Sequence, residues 1–221
     1  DDHRFLKTAF DTSIFTDYAR FEVQFGNVKR PTARNTTVEQ AKFEVLNHKY
    51  TDLSESRYGA ALLNDCKYGI SVEGGQMRLS LHKGGCRPDY KGDHGVHDCV
   101  YAFLPHQGAF DVNHVVKPAY QLNYPPVLAG KAFIALPLAL PEAENILVET
   151  IKPCEDEARA FIVRLYEAEG AFTNTPVRFF AGAKSAAICN MLEEPQEGLE
   201  DLAKVSLCFH PFEIKTLRVT Y

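Results

Sequence analysis

The sequence contains no tryptophan and only two methionines, although it holds 15 phenylalanines and 10 tyrosines. Tryptophan is the commonest platform for stacking a sugar ring, so a stand-alone lectin-like module gains no support here. Phe and Tyr at alternating positions read as core and cross-strand pairs instead. No Cys-x-x-Cys pair occurs among Cys66, Cys86, Cys99, Cys154, Cys189 and Cys208, which excludes zinc ribbons and thioredoxin-like redox sites. Without framework spacing either, the cysteines read as free thiols of a reducing, cytoplasmic compartment. Cys86 and Cys99 flank a polar loop and are the first suspects for any bridge. No apolar run reaches the roughly 20 residues of a membrane span; "AGKAFIALPLALP" is short and carries two prolines. Nor is there a basic cluster: 24 Lys and Arg face 29 Asp and Glu, a net charge of -5. That balance excludes a nucleic-acid surface. A nucleophile elbow, a P-loop and a dinucleotide fingerprint are also missing. The opening "DDHRFLKTAF" has no signal-peptide pattern and reads as a piece of a larger protein.

What is present has period two almost throughout. "ARFEVQFGNV", "AKFEVLNHKY", "QMRLSLHKG", "DCVYAFLPHQG", "NILVETIKP", "AFIVRLYEAEG", "TPVRFFAG", "AKSAAICNML" and "LAKVSLCFHPFEIKTLRVTY" alternate apolar and polar residues, as half-buried strands do. "FLKTAFDTSI" alternates in the same way. Such runs, punctuated by Gly, Pro, Asn and Asp, predict an all-β chain of antiparallel sandwiches. Helical candidates are two: one turn within "PTARNTTVEQAKFE", and a longer stretch in "FDVNHVVKPAYQLN" until Pro118 interrupts it. Prolines at 118, 125, 126, 137 and 141 mark a connector, since proline removes ladder donors. The expected layout is a β domain over 1–125, a connector over 126–139 and a second β domain over 140–221.

Between two strands, "LNDCKYG" packs Asn64, Asp65, Lys67 and Tyr68 into five residues. Binding, catalysis and plain turn formation all suit that composition. His94 and His97, with Asp93 and Asp98 beside them and His106 beyond, are residue types that hold metals, and equally common loop hydrogen-bond partners. Asp65, Asp89, Asp93 and Asp98 include enough carboxylates for an acid–base pair, but Asp is also the default turn former. No catalytic or metal-binding residue is assigned within the chain.

Several strings occur together in order: "FEVQFGNVKRPTARNT", "AKFEVLNHKYTDLSE", "YGAALLNDCKYG", "RLSLHKG", "PDYKGDHGVHDCVYAFLPHQG", "IKPCEDEARAFIVRLYEAEG" and "CFHPFEIKTLRV". From about Phe21 to Val219 the chain resembles the C-terminal half of glycoside hydrolase family 38 α-mannosidases, bacterial and cytosolic-type. The resemblance implies part of a large central β-sandwich followed by a small C-terminal one. It implies retaining hydrolysis of α-mannosides by the whole enzyme, with the two catalytic carboxyl groups and a zinc or other divalent ion in a barrel that this chain lacks. Cofactors are therefore expected elsewhere. The chain itself is expected to buttress that barrel, shape its rim and, alone, to be inactive and prone to self-association. Many relatives carry an Arg at the end of "RLSLHKG" that approaches the substrate; here the position falls on Lys83, or on Arg87 if the loop shifts. Asp65, Lys67, Tyr68, Arg34 and Asn35 complete the rim candidates. Ala33 stands where relatives often have His. The alternative reading is a non-catalytic carbohydrate-binding or structural β-sandwich module.

Overall fold

A computed structural model describes residues 4–85, 87–89, 91–92, 94–127, 130 and 140–221. Its contacts divide the chain into two compact units, 1–126 and 127–221. Most of the expected 126–139 connector lies outside the described residues.

The first unit builds two antiparallel sheets from β1 (Phe5–Asp11), β2 (Tyr18–Val23), β3 (Gly26–Pro31), β4 (Val45–Leu46), β5 (Tyr50–Ser54), β6 (Tyr58–Asn64), β7 (Gly69–Glu73), β8 (Gln76–Lys83) and β9 (Tyr101–Gln107). One sheet runs β1-β8-β7-β4 and the other β3-β2-β5-β6-β9. Their facing sides share one core: Ala19, Phe21, Leu53, Ala60 and Leu62 from the larger sheet meet Ile70, Val72, Met77 and Leu79 from the smaller. The period-two alternation of the sequence thus places one face of each strand inward.

β6 departs from that alternation, because every residue from Gly59 to Asn64 is buried. Its second face is roofed by a π-helical turn, Val112–Val116, leading into α2, Lys117–Asn123. Val112, Val115, Val116 and Ala119 are the buried residues of that roof. The helix therefore begins where Pro118 was expected to end one. Pro118 falls in the first turn of α2, where its missing N–H is an unpaired donor position in any case and its fixed φ suits the helix. The other helical candidate is the single turn α1, Thr37–Ala41, closed by a reciprocal cap between Thr36 and Glu39. "AKFEVLNHKY", expected as one strand, breaks at Asn47 into β4 and β5. Asn47 N–H turns instead to Tyr68 O at 2.9 Å, and His48 N–H to Glu22 O at 3.1 Å.

The second unit comprises β10 (Leu140–Pro141), β11 (Ile146–Pro153), β12 (Ala160–Glu167), β13 (Thr173–Arg178), β14 (Ser185–Cys189), β15 (Pro195–Leu199), β16 (Ser206–Phe209) and β17 (Ile214–Thr220). A sheet ordered β11-β12-β17-β14-β15 faces one ordered β10-β13-β16. Val163, Leu165, Leu217 and Val219 on one side pack with Val177, Leu207 and Phe209 on the other. This is a second β-sandwich. A buried carboxylate, Glu167, ties its turns together. It accepts from Asn145 Nδ2 at 2.9 Å, Glu169 N at 2.8 Å, Gly170 N at 2.7 Å and Phe212 N at 3.0 Å.

Candidate functional site

The polar turn after β6 is built around Asn64, which is fully buried. All four of its polar groups are matched. Its N–H donates to Lys49 O at 3.0 Å, and its carbonyl accepts from Asn123 Nδ2 at 3.0 Å. Its Nδ2 donates to His48 O at 2.7 Å, and its Oδ1 accepts from Lys67 N at 2.7 Å. The end of α2 thus grips the end of β6, and the side chain of Asn64 folds the chain back toward β7. Asp65 joins the turn to the strand on its other side. Its N–H donates to Val100 O at 3.1 Å, and its Oδ1 accepts from Val100 N at 3.1 Å. A hydrogen bond from Cys66 and those amides hold the Asp65 carboxyl below its ordinary range, more than offsetting burial. The bond to Asp65 in turn pushes the Cys66 thiol up to about 11.

Lys67 and Tyr68 finish the turn. The Tyr68 ring, half-exposed, leans on His48 with centroids 4.9 Å apart. Lys67 lines an open cleft of about 480 Å³ with Leu6, His82, His94, His97 and Cys99. His82 and His97 rings lie 4.9 Å apart there. Lys83 is the last residue of β8, opposite Phe5 on β1. Its exposed side chain sets Nζ 5.3 Å from the centre of the Phe5 ring, and its charge reaches Glu44. Arg87 is exposed in the following loop.

Arg34 and Asn35 belong to a different neighbourhood. Arg34 donates to Phe43 O at 3.3 Å and pairs with Glu73 at 3.4 Å, while Asn35 N–H donates to Glu39 Oε2 at 2.8 Å. Beside them Ala33, exposed, lines an open groove of about 500 Å³ with Phe15, Asp17, Thr32 and Glu73. The seven rim candidates therefore form one group at the polar turn and the end of β8, and another at α1. Among the described residues, no three His, Cys, Asp or Glu side chains converge as metal ligands; Asp93, named with His94 and His97, lies outside the described residues. Cys86 does too, and with it the suspected Cys86–Cys99 bridge. Cys66, Cys99, Cys154, Cys189 and Cys208 are free.

Two profiles match in tandem: the glycosyl hydrolases family 38 C-terminal domain over residues 1–91, and the glycosyl hydrolases family 38 C-terminal beta sandwich domain over residues 145–217. The chain belongs to glycosyl hydrolase family 38. It consists of the family's C-terminal β domains. Human alpha-mannosidase 2C1 is 36% identical over 97% of the chain, and alpha-mannosidase G of Dictyostelium discoideum 40% identical over 98%. The chain spans 22% and 21% of those relatives' own lengths. An alpha-mannosidase from Enterococcus faecalis shares the fold, with a TM-score of 0.76 and 16% identity over 97% of this chain and 25% of its own.

One polar constellation of this family 38 chain escapes sequence reading. On the roofed face of the larger sheet, His106 Nε2 lies 2.8 Å from Asp52 Oδ1, with side chains 2% and 1% exposed. Ser54 Oγ donates to Asp52 Oδ2 at 2.7 Å. His106 also faces His114 of the π-helical turn, ring centres 6.3 Å apart, and His114 is itself paired with Asp111. Burial pushes the His106 imidazole down, but the bond and charge of Asp52 more than offset it and raise its pKa. Nearby, buried Glu22 pairs with Lys49, whose Nζ lies 4.5 Å from the Tyr120 ring centre. All of these groups are matched; Asp52, His106 and Glu22 are also covered, while the His114–Asp111 pair lies at the surface. Their task is to hold the roof, and so α2 and the polar turn, in place.

Proposed function

We propose that the protein to which this chain belongs is a retaining α-mannosidase, and that these β domains buttress its catalytic barrel and shape the pocket rim. The observation that carries this reading is the match to proteins named alpha-mannosidase along 97% of the chain. A retaining mechanism needs two carboxyl groups about 5 Å apart across the scissile bond. Asp65 in the polar turn and Asp52 beneath the roof are committed to amides, a thiol, a serine and a histidine. The chain's residues also do not fit the family's divalent metal, since no ligand trio converges among those described. We assign the catalytic carboxylates and zinc to the barrel, take an α-mannoside as substrate, and place the enzyme in the cytoplasm. What this chain adds is a cation at the rim. Lys83 ends a well-paired strand, is solvent-facing, and has no carboxylate bonded to it in the described structure. It keeps the charge of an arginine without the planar fork.

The test is turnover of an aryl α-mannoside by the whole protein and by the chain of 221 residues alone. The whole protein hydrolyses it and loses activity to a chelator, whereas the isolated chain stays at the no-protein background. A whole protein inert on α-mannosides leaves the non-catalytic carbohydrate-binding module as the better reading.

The same reading makes the isolated chain incomplete at its surface. Phe15 is 81% exposed, Val38 62% and Phe43 59%, all around the "RPTARNT" region and α1. Apolar patches above about 400 Å² drive association. Sedimentation velocity is expected to show mass rising with concentration; a strict monomer at high concentration contradicts this.

A further inference from the structure

The β6–β9 ladder runs from Tyr58 opposite Gln107 to Asn64 opposite Tyr101. Beyond its last pair, Asp65 and Val100 still exchange two hydrogen bonds, one through the Asp65 side chain. The register therefore continues past the assigned strands. The next residues on the two segments are Cys66 and Cys99. In an antiparallel ladder the pair after a hydrogen-bonded one is non-hydrogen-bonded, with Cα atoms about 4.5 Å apart, and disulfides accept roughly 4.4–6.8 Å. The chain bends at Asp65 and Cys66, yet the Cys66 Sγ lies 4.0 Å from Asp98 O, the carbonyl bonded to Cys99. Cys66 is exposed and Cys99 partly so, which gives an oxidant access to both.

We propose that Cys66 and Cys99 are a reversible redox pair whose disulfide fastens the segment entering β9 to the polar turn leaving β6. The pairing stands independently of the mannosidase reading. With a low-molecular-weight disulfide such as oxidised glutathione, the Cys99 thiolate attacks one glutathione sulfur and releases one glutathione thiolate. Cys66 then attacks the Cys99 sulfur of the mixed disulfide and releases the second. Two protons from the cysteines end on the two glutathiones; the cysteines lose two electrons and the glutathione disulfide gains them. Cys99 attacks first because Asp65 keeps the proton on Cys66. Since Cys99 and Lys67 both line the cleft with His82, His94 and His97, the bridge fixes one wall of that cleft.

The experiment incubates the chain in glutathione redox buffers, quenches with an alkylating reagent and maps tryptic peptides by mass. Cleavage at Lys67 and Lys91 leaves Cys66, Cys86 and Cys99 on separate peptides. A Cys66–Cys99 cross-linked peptide is expected, lost on adding dithiothreitol, with Cys154, Cys189 and Cys208 alkylated. Cys66→Ser and Cys99→Ser each abolish it and leave glutathione on the remaining partner. A Cys86–Cys99 bridge, or Cys66 and Cys99 recovered only as separate reduced or glutathione-capped thiols, overturns the proposal.

Discussion

At the scale of single residues, Asn64 is the side chain on which the polar turn depends. Replacing it with alanine leaves the Lys67 amide without its partner and the His48 carbonyl with only the long 3.4 Å bond from Asn47 Nδ2. A backbone group deprived of its partner away from water costs about 1–3 kcal/mol, so Asn64→Ala is expected to destabilise the first unit by about 1–3 kcal/mol, read from urea unfolding followed by circular dichroism. A loss below about 0.5 kcal/mol would place the turn's stability elsewhere. The sequence marked the "LNDCKYG" knot as polar but not which residue ordered it. Asn64 bonds to His48 and Asn123, 16 and 59 residues away, and no local pattern encodes such partners. The same limit hid the Cys66–Cys99 neighbourhood behind the nearer Cys86. His106 looked like one more loop histidine because Asp52 lies 54 residues away in the chain.

Among elements, alternation revealed most of the strands and missed an exposed one and a very short one. β15, "PQEGL", is exposed at four of its five positions. β4 is two residues long, too short for any period to register. The roof helix was legible as a helix, but Pro118 hid where it starts. The roof's attachment to the larger sheet makes a pH prediction. The folded pKa of His106 is raised above its ordinary 6.5, so the protonated imidazole binds Asp52 best when folded. That contribution is complete below the unfolded value and is lost as pH rises through the folded one. Hydrogen exchange of the β5 and β6 amides is expected to quicken, beyond the intrinsic chemical rate, as pH rises through that window, and His106→Gln to remove the excess. Exchange that stays parallel in both proteins counts against the pairing. Gly59 probes the same joint by packing. A Cβ there would lie 2.5 Å from Ser54 Cβ and 2.6 Å from the His106 ring. Gly59→Ala therefore overpacks the joint, at a cost of about 1–3 kcal/mol in a thermal melt. In the second unit, Glu167→Gln turns an amide NH₂ group toward a nest of N–H donors. With hydrogen bonds to a charged group contributing about 1.5–3 kcal/mol, a comparable loss is expected on unfolding, and an unchanged melt would deny Glu167 its role.

For the whole molecule, two β-sandwiches are what composition and period dictate, and both belong to glycosyl hydrolase family 38. The rim assignment could not come from periodicity, because an exposed lysine at a strand end obeys no packing rule; it came from resemblance and is a proposal that mutation tests. Lys83 projects from the end of β8, while Asp65 is engaged with Val100 and Cys66. The two should therefore fail differently: Lys83 in catalysis, Asp65 in stability. The most direct measurement is kcat/KM of the whole enzyme on an aryl α-mannoside, comparing Lys83→Ala with wild type and with Asp65→Ala and Arg87→Ala. A charge-assisted hydrogen bond of about 1.5–3 kcal/mol corresponds to a roughly 10- to 150-fold fall. That fall is expected for Lys83→Ala with unchanged melting, and a smaller effect per folded molecule for Asp65→Ala. Wild-type kcat/KM in Lys83→Ala would contradict it, and a fall confined to Arg87→Ala would move the rim contact into the loop beyond β8.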